Sequence, residues 1–198
     1  MQIDSMKVAK GLYQFTAIDD CTRLRVLGLY PDRKAASAVH FFETQVVPEM
    51  PFPIERIQSD RGSEFIGEEF IQTLRRHRVK LRPNKARSPH LNGKVERSQQ
   101  TDQVEFYALE TDGKGRARVP RERDRLEQKL KTWQRFYNEV RPHGGIGGKT
   151  PQRRWEEVEA LTPTREVLDG RYDGSKEPKW IKQGKRVLVL TGPPAPSK

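Results

Sequence analysis

Three carboxylates stand where their side chains could share one task. Asp4 lies in the apolar stretch near the start of the chain, Asp60 closes the run Ile57-Gln58-Ser59 within IQSDRGSEF, and Glu96 falls in the first turns of a helix opening at Asn92. A charged residue and a glycine follow Asp60, so it sits where a strand stops and the backbone turns. Two roles fit such an acid: capping the free N–H groups of the next element, or pointing into a cleft to hold a metal or a proton. The choice turns on the company it keeps. In a sheet whose first strand is central and whose fourth pairs beside it, Asp4 and Asp60 are neighbours, and Glu96 reaches the same point from a covering helix. Three acids brought together repel one another unless a cation lies between them. Ligands that are all oxygen suit magnesium or manganese.

The elements needed to hold the acids in place are legible in the pattern. Residues near Gln2–Asp4, Gly11–Asp19 and Leu24–Tyr30 are apolar and β-prone, with polar turns such as Asp19-Asp20-Cys21-Thr22-Arg23 between them. From Lys34 to about Val47, Ala35, Ala38, Val39, Phe42 and Val46 recur at helical spacing. Pro48, Pro51 and Pro53 end that helix, and Ile54–Ser59 is the strand that delivers Asp60. A helix over Gly67–Arg78 and a strand over Val79–Arg82 follow. Three strands followed by alternating helix and strand predict an α/β fold, a mixed sheet flanked by helices. Beyond the polar loop Pro83–Leu91, helices are expected over Asn92 to about Leu109 and over Arg121–Val140. The stripe Leu126, Leu130, Trp133 and Phe136 or Tyr137 on the second reads as core packing. Thr111–Pro120 reads as a flexible basic connection, the segment from Thr162 onward as a poor core former, Trp180–Leu190 as one hairpin, and the final Gly-Pro-Pro-Ala-Pro as disordered. The expected organisation is therefore a core over 1–110, a basic linker and helix packing back on it over 111–160, and a tail over 161–198.

Charge narrows the class of partner. The 198 residues carry a formal net charge of +11, with 33% hydrophobic and 33% charged residues. Between Thr111 and Arg154 there are 13 Lys or Arg against 5 Asp or Glu, a net of +8. Such a field fits a polyanion, most simply nucleic acid. A lone cysteine, Cys21, excludes an internal disulfide and a cysteine-based zinc site, and His40, His77, His90 and His143 show no ligand-like pairing. No apolar run reaches the length of a membrane span, so the expectation is a soluble, intracellular protein.

The stretches QIDSM, IQSDRGSEF and SPHLNGKVERS resemble, in order, the three signature segments of the DDE superfamily of retroviral-type integrases and insertion-sequence transposases. The 35 residues between Asp60 and Glu96 (96 − 60 − 1) match the spacing of that group. FYNEVRPHGGIGGKTPQRRW, Phe136–Trp155, resembles the segment that closes the catalytic region in bacterial members, so the likeness runs from about Met1 to Trp155. It implies a ribonuclease H-like five-stranded mixed sheet, with Asp4, Asp60 and Glu96 binding two divalent cations, Mg2+ or Mn2+. It also implies in-line phosphoryl displacement: water nicks an element end, and the freed 3′-hydroxyl attacks target DNA. The implied setting is the bacterial cytoplasm, with DNA ends and target as partners and a homodimer or higher assembly.

Bland readings stand beside these. Gly62 and Gly93 permit turns, Ser63 and Glu64 cap the next helix, Asp19 and Asp20 make a turn, and Asn92 caps its helix, a position that in family members also lies against DNA. Gln100 and Gln103 share the helical face of Glu96. Retroviral-type integrases carry lysine there, so Arg87, Lys94 and Arg97 are the better contacts for backbone phosphates. Arg141 and His143 serve packing or DNA. Related transposases carry helix-turn-helix domains ahead of the first strand, whereas Asp4 follows three residues; the expectation is a truncated gene or a separate catalytic part. The alternatives are a catalytically silent DNA-binding remnant or regulator of a full-length transposase, and a ribonuclease H-type nuclease.

Overall fold

The computed structural model describes residues 1–84, 92–109, 123–183 and 186–190. Its five-stranded sheet has the order β3-β2-β1-β4-β5. The strands are β1 (Gln2–Ala9), β2 (Leu12–Ile18), β3 (Arg25–Tyr30), β4 (Arg56–Ser59) and β5 (Lys80–Pro83). β1 pairs antiparallel with β2 and β2 with β3, while β4 runs parallel to β1 and β5 parallel to β4. β1 is thus central, as the acids require.

Both faces of the sheet are covered, which is why the strands read as near-continuous apolar runs and not as clean alternation. On one face Ile3, Phe15 and Ile57 pack against Phe41 and Phe42 of α1 (Ala35–Phe41) and its continuation, Phe65 of α3 (Ser63–Ile66), and Phe70 of α4 (Glu68–Arg76). Between them, α1 passes through a π-helical stretch, Phe42–Val46, into the short α2 (Val47–Glu49). On the other face Met6, Leu27 and Leu29 meet Phe106 and Tyr107, which follow α5 (Gly93–Thr101), and Leu126 and Leu130 of α6 (Arg123–Glu139). The predicted stripe on α6 is core packing at Leu126, Leu130 and Tyr137, whereas Phe136 is exposed.

α6 also seals the outer edge of β3. Asn138 accepts from the Arg25 N–H at 3.1 Å and donates to the Arg25 carbonyl at 2.9 Å, Gln134 accepts from Leu27 N–H at 2.7 Å, and Arg123 donates to the Leu29 carbonyl at 2.8 Å. Side chains here take the place of a sixth strand. At the opposite edge, buried Glu177 accepts from Leu81 N–H at 2.9 Å and pairs with Arg82 at 3.0 Å.

Two expectations need correction. The helix read as continuous to Leu109 changes to a π-helical stretch over Asp102–Phe106 and a 3-10 turn over Tyr107–Leu109. The widened turn begins at Asp102, whose carboxylate is drawn into the sheet–helix interface by Arg25, Gln14 and Trp133. The chain beyond Thr162 contributes more than its composition promised: α8 (Arg165–Gly170) buries Leu168, and Glu177 seals β5. α7 (Pro151–Val158), capped by Thr150, sends Trp155 into the first core beside Phe52, ring centres 5.0 Å apart. The predicted C-terminal hairpin is present in the backbone as β6 (Lys179–Gln183) paired antiparallel with β7 (Arg186–Leu190). The connection Thr111–Pro120 and the terminal Gly-Pro-Pro-Ala-Pro lie outside the described residues.

Candidate active site

Strand pairing sets the level of two acids. Ile3 is in register with Ser59, so Asp4 and Asp60 are the next residues along two parallel neighbours. Gln2, Asp4 and Met6 alternate onto the face covered by α5. The Gln2 Oε1 accepts from the backbone N–H groups of Lys94 at 3.1 Å and Val95 at 3.0 Å, and Met6 Sδ meets Gln103 Nε2 at 3.8 Å. Two anchors four residues apart on a strand, roughly 13 Å, match two anchors eight to nine residues apart on a helix, also roughly 13 Å. α5 is therefore pinned along β1 with Asp4 midway between the anchors, and Glu96 lies just past the first of them.

The electrostatics of the cluster follow from this geometry. Burial pushes the Asp4 carboxyl up to about 7, and the charges of Asp60, Glu64 and Glu96 push the same way, against one hydrogen bond from the Ser5 N–H at 2.8 Å. Glu64 is a fourth acid: it is 5% exposed and accepts from Ser5 Oγ at 2.6 Å. Asp60 accepts from Gly62 N–H at 2.9 Å. Gly62 has an ordinary φ of −57°. Its value is space: a Cβ there would stand 2.8 Å from a Glu64 oxygen and 2.9 Å from an Asp60 oxygen.

A buried carboxylate whose neighbours are further carboxylates is chemically suited to a hard divalent cation. Among the described residues no three His, Cys, Asp or Glu side chains are already disposed to enclose one. Asp60 and Glu96 are exposed, which leaves them room to turn toward Asp4.

The remaining residues singled out by sequence fall in three places. Gln100 and Gln103 lie on the Glu96 side of α5, and Gln103 touches β1. Lys94 and Arg97 occupy another face: Lys94 pairs with Asp20 at 2.8 Å and Arg97 donates to Gln100 at 3.1 Å. Arg87 lies outside the described residues. Asn92 is 3% exposed and makes no capping bond; Gln2 performs that service from β1. Asp19 makes the expected turn, accepting from Cys21 N–H, Thr22 N–H and the Thr22 hydroxyl at 2.8–3.0 Å. Arg141 is bound by Glu105, and His143 is buried against Tyr137. A cavity of about 760 Å³ behind the start of α5 is lined by Gln2, Cys21, Phe52 and Leu168 and contains none of the four acids.

Sequence reasoning undervalued Gln2, Ser5 and Glu64. The signal for Gln2 was its position two residues before Asp4, on the same face of the strand. For Ser5 and Glu64 only the folded contact carries the information.

A sheet of order 3-2-1-4-5 with helices on both faces is the ribonuclease H-like fold of integrase cores. Family models described as "Integrase core domain" match residues 1–89 and residues 77–151. The chain belongs to this integrase core family, which the DDE integrases and transposases share. Among solved structures, the catalytic core domain of BIV integrase is similar with a TM-score of 0.60 and 17% identity, over 81% of this chain and 95% of that one. That likeness concerns the fold. No match was found among curated proteins. Among the described residues no helix is long and apolar enough to cross a membrane.

Proposed function

We propose that this chain is the catalytic part of a DNA transposase or integrase. It hydrolyses a phosphodiester at an element end and transfers the freed 3′-hydroxyl into target DNA. The observation that carries the reading is the placement of Asp4 and Asp60 at one level of two parallel strands, with Glu96 brought over them by a helix that Gln2 fastens to β1. In family terms 1–110 is the catalytic core, 111–160 packs back on it, and 161–198 is a tail. The setting is the cytoplasm, on DNA, as a dimer or higher assembly.

Asp4, Asp60 and Glu96 are the residues that would hold two magnesium or manganese ions. Such ions, when bound, stabilise the charge on the attacking and leaving oxygens of an in-line displacement. The protein's own part is positional and protonic. Asp4 gives up the proton that burial and its neighbours favour. Ser5 and Gly62 hold Glu64 and Asp60 in place through hydrogen bonds. Gln100 and Gln103 line the same side of α5, and Arg87, Asn92, Lys94 and Arg97 are the further candidates to contact DNA.

The test is a nicking and strand-transfer assay on labelled duplex DNA with magnesium or manganese, comparing the protein with Asp60→Asn. Metal-dependent nicks that vanish in the variant, with products joined to target, are the expected result. Tight, salt-sensitive binding without cleavage would instead identify a silent DNA-binding regulator, and cleavage confined to RNA–DNA hybrids a ribonuclease H-type nuclease.

A further inference from the structure

α5 has a second polar face. Lys94, Arg97, Ser98 and Thr101 are turned roughly 140° around the helix from Glu96, Gln100 and Gln103. They form one wall of a cavity of about 450 Å³, whose other wall includes Arg23, Arg141 and the turn at Gly144-Gly145. Four of the lining side chains are cationic (Arg23, Lys94, Arg97, Arg141) and one, Glu105, is anionic, a balance of 4 − 1 = +3. The pairs Arg141–Glu105 and Lys94–Asp20 fix two of these cations in place. Arg97 and Arg23 are committed less: one donates to the neutral Gln100 amide and the other to the Asp20 carbonyl. A guanidinium has five N–H donors, so each retains capacity for an anion.

Two features make this more than a run of surface charge. Arg23 has a φ of 67°, a conformation that glycine or asparagine adopts far more readily. That turn sets the Arg23 guanidinium on the cavity wall. Gly145 faces that guanidinium: a Cβ on it would lie 3.8 Å from Arg23 Nη2, so a longer side chain would reach into the space beside it.

We propose that this cavity is a phosphate site that takes a backbone phosphodiester of a nucleic-acid strand, on the side of α5 away from the carboxylates. The inference rests on the DNA reading above and adds a second anchor to it. A strand held here crosses the start of α5 before reaching Asp4 and Asp60, so the pocket sets how far along the strand the reacting phosphate falls.

The experiment measures the Kd for a labelled duplex from 50 to 300 mM salt, on the order of the range where counterion release is read, for the full chain and for Arg23→Asn and Arg97→Gln. Thermal melting is followed on the same samples, without DNA and with inorganic phosphate. Each variant is expected to bind roughly 5- to 10-fold more weakly at low salt, with the slope of log Kd against log salt reduced by about one. Arg23→Asn is expected to melt no lower than the parent, since asparagine suits the backbone it inherits. Variants that bind with the parent's Kd and slope overturn the pocket while leaving the DNA reading intact. A parent that binds no duplex overturns both. If phosphate alone raises the melting temperature through Arg23 while DNA binding is unaffected, the cavity is a free-anion site and the nucleic-acid assignment falls.

Discussion

Asp4 and Asp102 are two carboxylates under the same helix, treated in opposite ways. Asp102 is fully buried and completely partnered: Arg25 lies 2.8 Å away, Gln14 donates at 2.8 Å and the Trp133 indole at 2.6 Å. Arg25 is itself fully buried, with its guanidinium 3.3 Å from the Tyr137 ring centre and a bond to Ser98 at 2.8 Å. Asp4 has one backbone donor and the like charges of Asp60, Glu64 and Glu96. The fold supplies a cation from within the chain for the acid that fastens α5 and α6 to the sheet. Among the described residues it supplies none for the acid at the centre of the cluster. The two acids thus differ in their local partners: Asp102 is paired with a cation, and Asp4 is surrounded by like charges.

The contrast breaks most visibly in activity. Replacing Asp4 by Asn should lower DNA nicking by on the order of a thousandfold, about 4 kcal/mol of transition-state stabilisation. The same change should leave thermal stability equal or higher, because it removes charge repulsion. A variant that melts well below the parent would place Asp4 with Asp102 as a structural acid.

The converse change is Arg25→Met. It strands Asp102 without its cation and should cost about 3–5 kcal/mol in urea unfolding. The double variant Arg25→Met/Asp102→Leu should recover much of that loss, since a packed apolar pair needs no partner.

pH sharpens the comparison next. The folded pKa of Asp4, about 7, exceeds its ordinary 3.8, so its favourable contribution is complete below pH 4 and lost as pH rises through 7. Without metal, stability should therefore fall between about pH 4 and 7 and level off above, by roughly 2–3 kcal/mol after allowing for partial exposure. Magnesium should restore melting temperature more at pH 8 than at pH 5.5, and Asp4→Asn should flatten both trends. A melting curve for the parent that is level across this range would remove the electrostatic distinction.

The smallest effect concerns the clamp. Gln2→Ala removes the acceptor for two N–H groups at the start of α5 and should cost about 1 kcal/mol. Activity should fall further than that figure implies, because Glu96 loses its fixed position over β1.

How much of this could be read from sequence depended on the range of the interaction. The five strands, the two long helices and the positions of Asp4, Asp60 and Glu96 were legible because each is marked by local periodicity or by a turn. Local rules gave the wrong cap for α5: Asn92 occupies the cap position, yet the bond comes from Gln2, which no nearest-neighbour rule connects to residue 94. Gly62 was read as turn freedom, whereas its backbone is ordinary and what matters is the space between two carboxylates. The chain from Thr162 escaped because its packing rests on isolated residues, Leu168 and Glu177, which set up no period.

Sealing both rims of the sheet has a consequence for crowding. Copies gathered along one polymer meet at high local concentration, and bare strand edges would then zip together. Here Asn138, Gln134 and Arg123 occupy the backbone groups of β3, and Glu177 occupies the Leu81 N–H of β5. A neighbouring copy pressed against these rims would find few vacant ladder positions among the described residues, so any self-association would have to use other surfaces.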